Sequence, residues 1–384
     1  MTEAITMQTV LSRFLPDYRQ HRRLSPAQGK VCHAIGACRT EVLGGQSVHC
    51  DQCDFVQHRY HSCRNRHCPK CQQHASQQWC EQQLQQVLPV NYFHVVFTLP
   101  HELNPWVQCH ADVIYRCLFE SVWRTIQRFG QDSKRLNGNM GMSAILHTWG
   151  QNLSQHVHLH CLIPGGALSP DQQQWHRAKS NYLFPVKALS RHFRGAMVSA
   201  LRGAYHRGEL HRLCVEHVEQ VLSQLMSHDW VVYSKAYLKK AETIVRYLGR
   251  YTHKIALSDA RIKEIKDDQV TFKYKDYRDN KDKSMQLAGE EFIRRFLMHV
   301  LPDGFMRIRH YGFLSNRSRR QKLDTIRACL HSPMQAVKMD EPIAEVMTSS
   351  DNSGCPCPKC RDGHLQIRYE IPAKVIKGKV TTYL

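Results

Sequence analysis

The sequence predicts an α+β fold carrying an N-terminal cysteine module. Three observations lead there. Hairpin-like strand pairs and helices are mixed through the middle of the chain, with no internal repeat. Two C-x2-C pairs, Cys50/Cys53 and Cys68/Cys71, punctuate an early basic stretch. Histidines take every second position in His156-Val157-His158-Leu159-His160, and hydrophobic Cys161, Leu162 and Ile163 follow. Alternate residues of a strand share a face, so these three imidazoles are expected to point one way.

The elements read in order as follows. Residues 1–37 read as helical, with Leu11, Phe14, Leu15 and Tyr18 at helical spacing. A cysteine-rich basic segment runs from Cys38 to about His74, and 75–88 reads as a Gln-rich helix ending at Pro89. Residues 91–99 form a β-rich run closed by Pro100. Residues 104–129 carry a helical stripe, including Trp106, Ile114, Leu118 and Val122, which reads as core packing. Residues 143–149 and the histidine run read as two strands joined by a turn at 150–154. Helices are expected over 186–228, a short strand at 230–233 and a helix at 236–250. Short strands follow at 254–257, 270–274 and 284–287, then a helix at 290–300 and a basic stretch to Arg320. The tail is loosely patterned from about 335, apart from one cysteine knuckle. The chain thus divides at 1–89, 90–330 and 331–384.

Charge narrows the partner. Lys and Arg number 53 against 33 Asp and Glu, a net charge of +20. That balance suits a polyanion, and aromatic residues among the basic ones favour nucleic acid, whose bases stack on flat side chains. No apolar run of membrane-spanning length is present, and residues 1–16 lack a signal-peptide pattern, so a cytoplasmic protein is expected. The sixteen cysteines are then expected to be reduced, and close pairs read as metal ligands before disulfides.

Zinc prefers four soft ligands in a tetrahedron, and two C-x2-C turns can supply them. Cys50, Cys53, Cys68 and Cys71 are therefore the expected structural zinc set. Cys38, His61, Cys63 and His67 lie close enough in sequence for a second ion or another ligand set. Arg59, Arg64, Arg66 and Lys70 suit phosphate contacts. Near the end of the chain Cys355, Cys357 and Cys360 make a single knuckle without a downstream partner, with Cys329 as a remote fourth ligand for a second zinc.

The histidine run reads as a second, open metal site. His156, His158 and His160 are the ligands it offers. Arg246-Tyr247-Leu248-Gly249-Arg250-Tyr251-Thr252-His253 places two tyrosines at i and i+4, one face of a helix. Alone that pair reads as amphipathic packing. Beside a metal it reads as a pair of nucleophiles for phosphate.

These features together resemble the HUH endonucleases, named for a His-hydrophobic-His metal motif, and most closely the two-tyrosine transposases of rolling-circle insertion sequences. The resemblance rests on Cys-Arg-Asn-Arg-His-Cys-Pro-Lys-Cys at 63–71, Val-Phe-Thr-Leu-Pro-His-Glu-Leu at 96–103, His-Val-His-Leu-His-Cys-Leu at 156–162 and Tyr-Leu-Gly-Arg-Tyr-Thr-His at 247–253. Residues 292–302 and 309–314 extend it, so it spans about residue 10 to about 330. It implies an antiparallel sheet flanked by helices behind an N-terminal zinc domain. It further implies His158 and His160 as the metal pair, with 156 and 158 an equal fit to the motif, and Tyr247 and Tyr251 as nucleophiles. A magnesium or manganese ion and single-stranded transposon ends and target DNA would be the cofactor and partner, in a nucleoid-associated protein. No GxxxxGK[ST] motif is present, in keeping with chemistry that stores bond energy in phosphotyrosine and needs no ATP.

Basic residues around the tyrosines and downstream are the expected DNA contacts: Arg246, Arg250, Lys254, Arg294, Arg295, Arg307, Arg309 and Arg317, with Arg319 and Arg320 beside them. Two other readings fit parts of the pattern. A plasmid replication initiator or relaxase shares the nicking chemistry, and a zinc-dependent DNA-binding protein would keep the module without the reaction.

Overall fold

Polar caps start the first two helices, α1 (Met7–His21) and α2 (Pro26–Ala37). Thr6 with Thr9, and Ser25 with Gln28, each form a capping box that satisfies free N–H groups of the first turn. The computed structural model describes residues 5–72, 86–179, 182–237, 249, 256–331 and 355–374. The short strands β1 (Gly45–Cys50) and β2 (Val56–Tyr60) form a hairpin. Then come β3 (Tyr92–Thr98), the long helix α3 (Asn104–Gln131), β4 (Gly141–Trp149), β5 (Gln155–Pro164) and a small pair, β6 (Gly166–Leu168) and β7 (Trp175–Arg177). Helices α4 (Val186–His206) and α5 (Val215–Met226) precede β8 (Val232–Tyr237). A meander of β9 (Ile262–Lys266), β10 (Gln269–Asp276) and β11 (Lys281–Ala288) leads to α6 (Gly289–Leu297), β12 (Ile308–Gly312) and α7 (Arg319–Cys329). The last described strands are β13 (Cys355–Pro356) and β14 (His364–Ile371).

The central sheet has five antiparallel strands in the order β12-β4-β5-β3-β8. Its two faces differ because the strands alternate. Val157, Leu159 and Cys161 of β5 join Phe93, Val95 and Phe97 of β3 and Ala144 and Leu146 of β4 in one buried layer. Helices α3, α4 and α5 cover that layer, with Phe97 edge-on to Phe193 at 5.1 Å. Each such phenyl ring contributes about 2–3 kcal/mol by leaving water. The opposite face carries the histidines.

A second core joins distant parts of the chain. Helices α1 and α2 pack on β10 and α6, where Phe272 meets Phe292 at 5.6 Å. Gly289 is required at the crossing, since a Cβ there would lie 2.3 Å from the Phe14 ring. Arg66 donates to the carbonyls of Pro302 and Phe305 and so ties the cysteine segment to the loop before β12.

Several expectations shift. Ala256 and Leu257 are buried loop residues, and the first strand of the meander starts at Ile262. The basic stretch contains β12, an edge strand whose mixture of Ile, Arg, His, Tyr and Gly hides any apolar alternation. Most of the expected helix at 75–88 lies outside the described residues. At 236–250 the strand β8 continues through Tyr237, and of 238–250 only Gly249 is described.

Candidate functional site

The central hairpin aligns the histidines. A turn closed by Gly150 N–H donating to the Ser154 carbonyl at 2.9 Å sets the register. His147 of β4 then stands opposite His158 of β5, and Ile145 opposite His160. The buried layer on the other face locks this register, because a one-residue slip would turn Val157 and Leu159 out to the histidine side.

Three imidazoles converge: His147, His158 and His160, whose nearest ring nitrogens all lie within 4.8 Å of one another. His158 Nδ1 donates to the His156 carbonyl at 2.9 Å, which leaves the lone pair on Nε2. That Nε2 faces His160 Nε2 at 3.1 Å. On its other side His160 Nδ1 lies 2.9 Å from His94 Nε2, with the two ring planes 12° apart. The pair shares one proton, and with it on His160 Nδ1 the Nε2 lone pair is presented to the cluster. Burial pushes His94 down to about 4, so it stays neutral and can accept that proton's hydrogen bond. His147 stacks on Trp149 at 4.6 Å, which fixes its ring.

His156 is not part of the convergent group. Its ring lies beside His158 at 4.9 Å and His101 at 5.8 Å, one step nearer the turn, and cross-strand His147 takes the third place. Sequence reading missed His147 and His94 because both belong to neighbouring strands. The available signal was the hairpin itself, whose turn at 150–154 folds 147 back toward 158.

The cysteines group in two sets of four, and not as the spacing suggests. Cys38, Cys63, Cys68 and Cys71 form one; Cys50, Cys53, Cys357 and Cys360 form the other. The expected set of Cys50, Cys53, Cys68 and Cys71 is split for a geometric reason. Cys50 and Cys53 sit at the tip of the β1–β2 hairpin. Cys38 and Cys63 sit at its base, where His61 N–H donates to the Gly44 carbonyl. The six residues of β1 separate tip from base by roughly 17 Å at ~3.3 Å per residue. Neither His61 nor His67 joins, and His67 Nε2 accepts from Leu301 N–H at 3.4 Å. Cys355 and Cys329 also stay out of both sets. The Arg59 guanidinium donates to Cys355 Sγ, and Cys329 Sγ reaches the Gln172 carbonyl at 3.9 Å.

The expected DNA contacts fare unevenly. Tyr247 and Tyr251 lie outside the described residues, as do Arg246, Arg250 and Lys254. Arg294 and Arg295 both pair with Glu291, at 2.6 and 2.7 Å, and hold its carboxyl down at about 2. Burial pushes the Arg307 guanidinium down to about 10. Arg309 lies over the Phe119 and Phe305 rings at 4.4 and 5.1 Å. Arg317 and Arg320 are exposed. Among the described residues no helix is long and apolar enough to cross a membrane.

A sheet with a histidine cluster on one face, joined to a cysteine module, defines a class, and the comparisons agree: the chain belongs to the insertion-sequence transposases that carry an N-terminal transposase zinc-binding domain. A family model described as "Putative transposase" matches residues 141–322, and one described as "Transposase zinc-binding domain" matches 10–99. The "Putative transposase y4qJ" of Sinorhizobium fredii (strain NBRC 101917 / NGR234) is 41% identical over 371 residues, 93% of each chain. The "Transposase for insertion sequence element IS801" of Pseudomonas savastanoi pv. phaseolicola is 26% identical over 321 residues, covering 80% of this chain and 73% of that one. No solved structure matches the chain.

Proposed function

We propose that this transposase nicks single-stranded DNA at its element's ends through a 5′-phosphotyrosine and transfers the strand by a rolling-circle route. The observation that carries the reading is the convergence of His147, His158 and His160, with two Nε2 atoms facing at 3.1 Å on a strand backed by a packed core. That donor set fits a divalent metal, and the hydrogen bonds at His158 Nδ1 and His160 Nδ1 orient the two facing rings as ligands need. Magnesium or manganese is the working ion, although all-imidazole sites hold other transition metals more tightly. When bound, the ion would polarise the scissile phosphate and offset charge in the transition state.

The chain's own residues supply the rest. Tyr247 and Tyr251, mapped from the family motif, are the nucleophiles. A phenol oxygen attacks phosphorus, its proton leaves to solvent or a nearby base, and the bond to the 3′ oxygen breaks. The products are a phosphotyrosine at the 5′ end and a free 3′ hydroxyl, with no redox change and no nucleotide cofactor. A second tyrosine lets one chain hold a cleaved end while cutting or joining another. Both tyrosines follow β8, the strand beside β3, whose exposed Tyr233 and Lys235 stand opposite Val96 and His94 on the histidine side. That short connection supports their delivery to the cluster.

The test is a covalent-trapping assay with labelled single strands carrying the element's ends. Label should stay on the protein with manganese, vanish with EDTA, and vanish when Tyr247→Phe and Tyr251→Phe are combined. Label surviving in the double variant would move the nucleophile elsewhere. Tight DNA binding with no label under any condition would leave a binding protein.

A further inference from the structure

We infer that the chain holds a second zinc centre, built from Cys50 and Cys53 of the N-terminal module and Cys357 and Cys360 of the C-terminal segment, which clasps the two ends of the protein together. The C-terminal pair lies beyond both family matches, 10–99 and 141–322, so the zinc-binding domain as matched contains only half of this ligand set.

The geometry suits zinc. A tetrahedron with Zn–S bonds of about 2.3 Å puts sulfurs about 3.8 Å apart. Cys50 and Cys360 sulfurs are 3.7 Å apart, as are those of Cys53 and Cys357. The Cys38–Cys71 and Cys63–Cys71 separations in the other set are 3.6 and 3.7 Å, so the two sets are built alike. Backbone amides already point at the sulfurs: Gln52 N–H at Cys50 Sγ, 3.3 Å, and Gly363 N–H at Cys360 Sγ, 3.4 Å. Such donors stabilise thiolates around a metal. The turn is fitted to the cluster, since a Cβ on Gly363 would lie 2.5 Å from Cys50 Sγ.

The surrounding sheet needs such a staple. Its order is β13-β14-β1-β2, so β14 adds to β1 across more than 300 residues of sequence, pairing Gly45 with Ile371 and Cys50 with Leu365. Its buried core is only Val48, Cys50, Cys357 and Leu365. Residues 56–59 of β2 are exposed, as is most of β14. The second core already joins α1 and α2 to α6, so this sheet has only the segment beyond residue 331 to hold; its apolar burial supports that weakly, whereas metal binding contributes folding free energy directly. Each thiol gives up its proton to solvent as the ion enters.

The test uses the full chain with a specific protease site inserted between residues 331 and 355. Metal analysis after dialysis should give two zinc per chain once His158→Ala and His160→Ala have removed the imidazole cluster. Cys357→Ser combined with Cys360→Ser should leave one, while Cys355→Ser and Cys329→Ser should each leave two. After cleavage the C-terminal fragment should co-elute with the body, and it should separate on chelation or in the double variant. If the double variant fails to fold, cobalt titration of the wild type decides: two equivalents should enter sites with thiolate-to-cobalt absorption. One equivalent, an unchanged zinc count in the double variant, or a protein mass showing disulfides in place of metal would each overturn the clasp. None of these readouts depends on DNA cleavage.

Discussion

Two hairpins contribute to the candidate metal sites of this protein, and they do so in opposite ways. The β4–β5 hairpin places its histidines in mid-strand, with His147 opposite His158, so cross-strand neighbours meet at one point. The β1–β2 hairpin has its cysteines at its two ends, so neighbours in sequence serve different sites. Position along the hairpin therefore decides whether ligands converge or divide. The surroundings differ as well. The histidine hairpin rests on the largest core among the described residues, which can hold a site rigid without metal. The cysteine hairpin rests on almost nothing.

On the proposed function, one hairpin would serve chemistry and the other architecture. The sharpest way to break this contrast is at the proposed nucleophiles. Combining Tyr247→Phe with Tyr251→Phe should cut strand cleavage at least about 10⁴-fold with no change in melting temperature. Next, His160→Ala should lower cleavage by more than about 100-fold and weaken manganese binding by calorimetry, again with the fold intact. If His160→Ala instead unfolded the chain, the histidine cluster would be structural.

At the cysteine set beside the base of the other hairpin, Cys38, Cys63, Cys68 and Cys71, the expected sign is reversed. Cys68→Ser should remove one zinc and cost several kcal/mol in urea unfolding, since bound metal and fold are one equilibrium there. A smaller effect sharpens the histidine side. His94→Ala should weaken manganese binding about 10–100-fold through His160, and His94→Asn should recover part of it. Equal loss in both variants would make His94 a packing residue only.

The smallest effect concerns pH. Burial pushes His299 down to about 4, well below an unfolded histidine near 6.5. Between those values the unfolded chain takes up a proton that the native chain refuses. Stability should therefore fall as pH drops from about 6.5 toward 4, by about 1.4 kcal/mol per unit for this group. His299→Gln, which keeps a partner for Thr148 Oγ1 and the Leu153 carbonyl, should flatten that slope in urea midpoints measured against pH.

Local periodicity made the histidine face legible. Alternation at 156–160 fixes which side chains share a face, because a strand has no other option. The helical stripe at 104–129 was equally plain, and it lies in α3 against the sheet. The third ligand was harder. It depends on hairpin register, which the turn at 150–154 and the buried layer set together. His94 needed the strand order β5-β3, a property of the whole sheet.

By itself, the sequence determined the mixed α+β character, the basic charge, the metal-ligating residue types and the family motifs. Each is carried by composition or by residues a few positions apart. Only the tertiary structure decided which cysteines share a site and that His147 displaces His156. Those choices depend on contacts between segments far apart in the chain. Spacing cannot report them, because it constrains distance only over the few residues where the backbone has not yet turned.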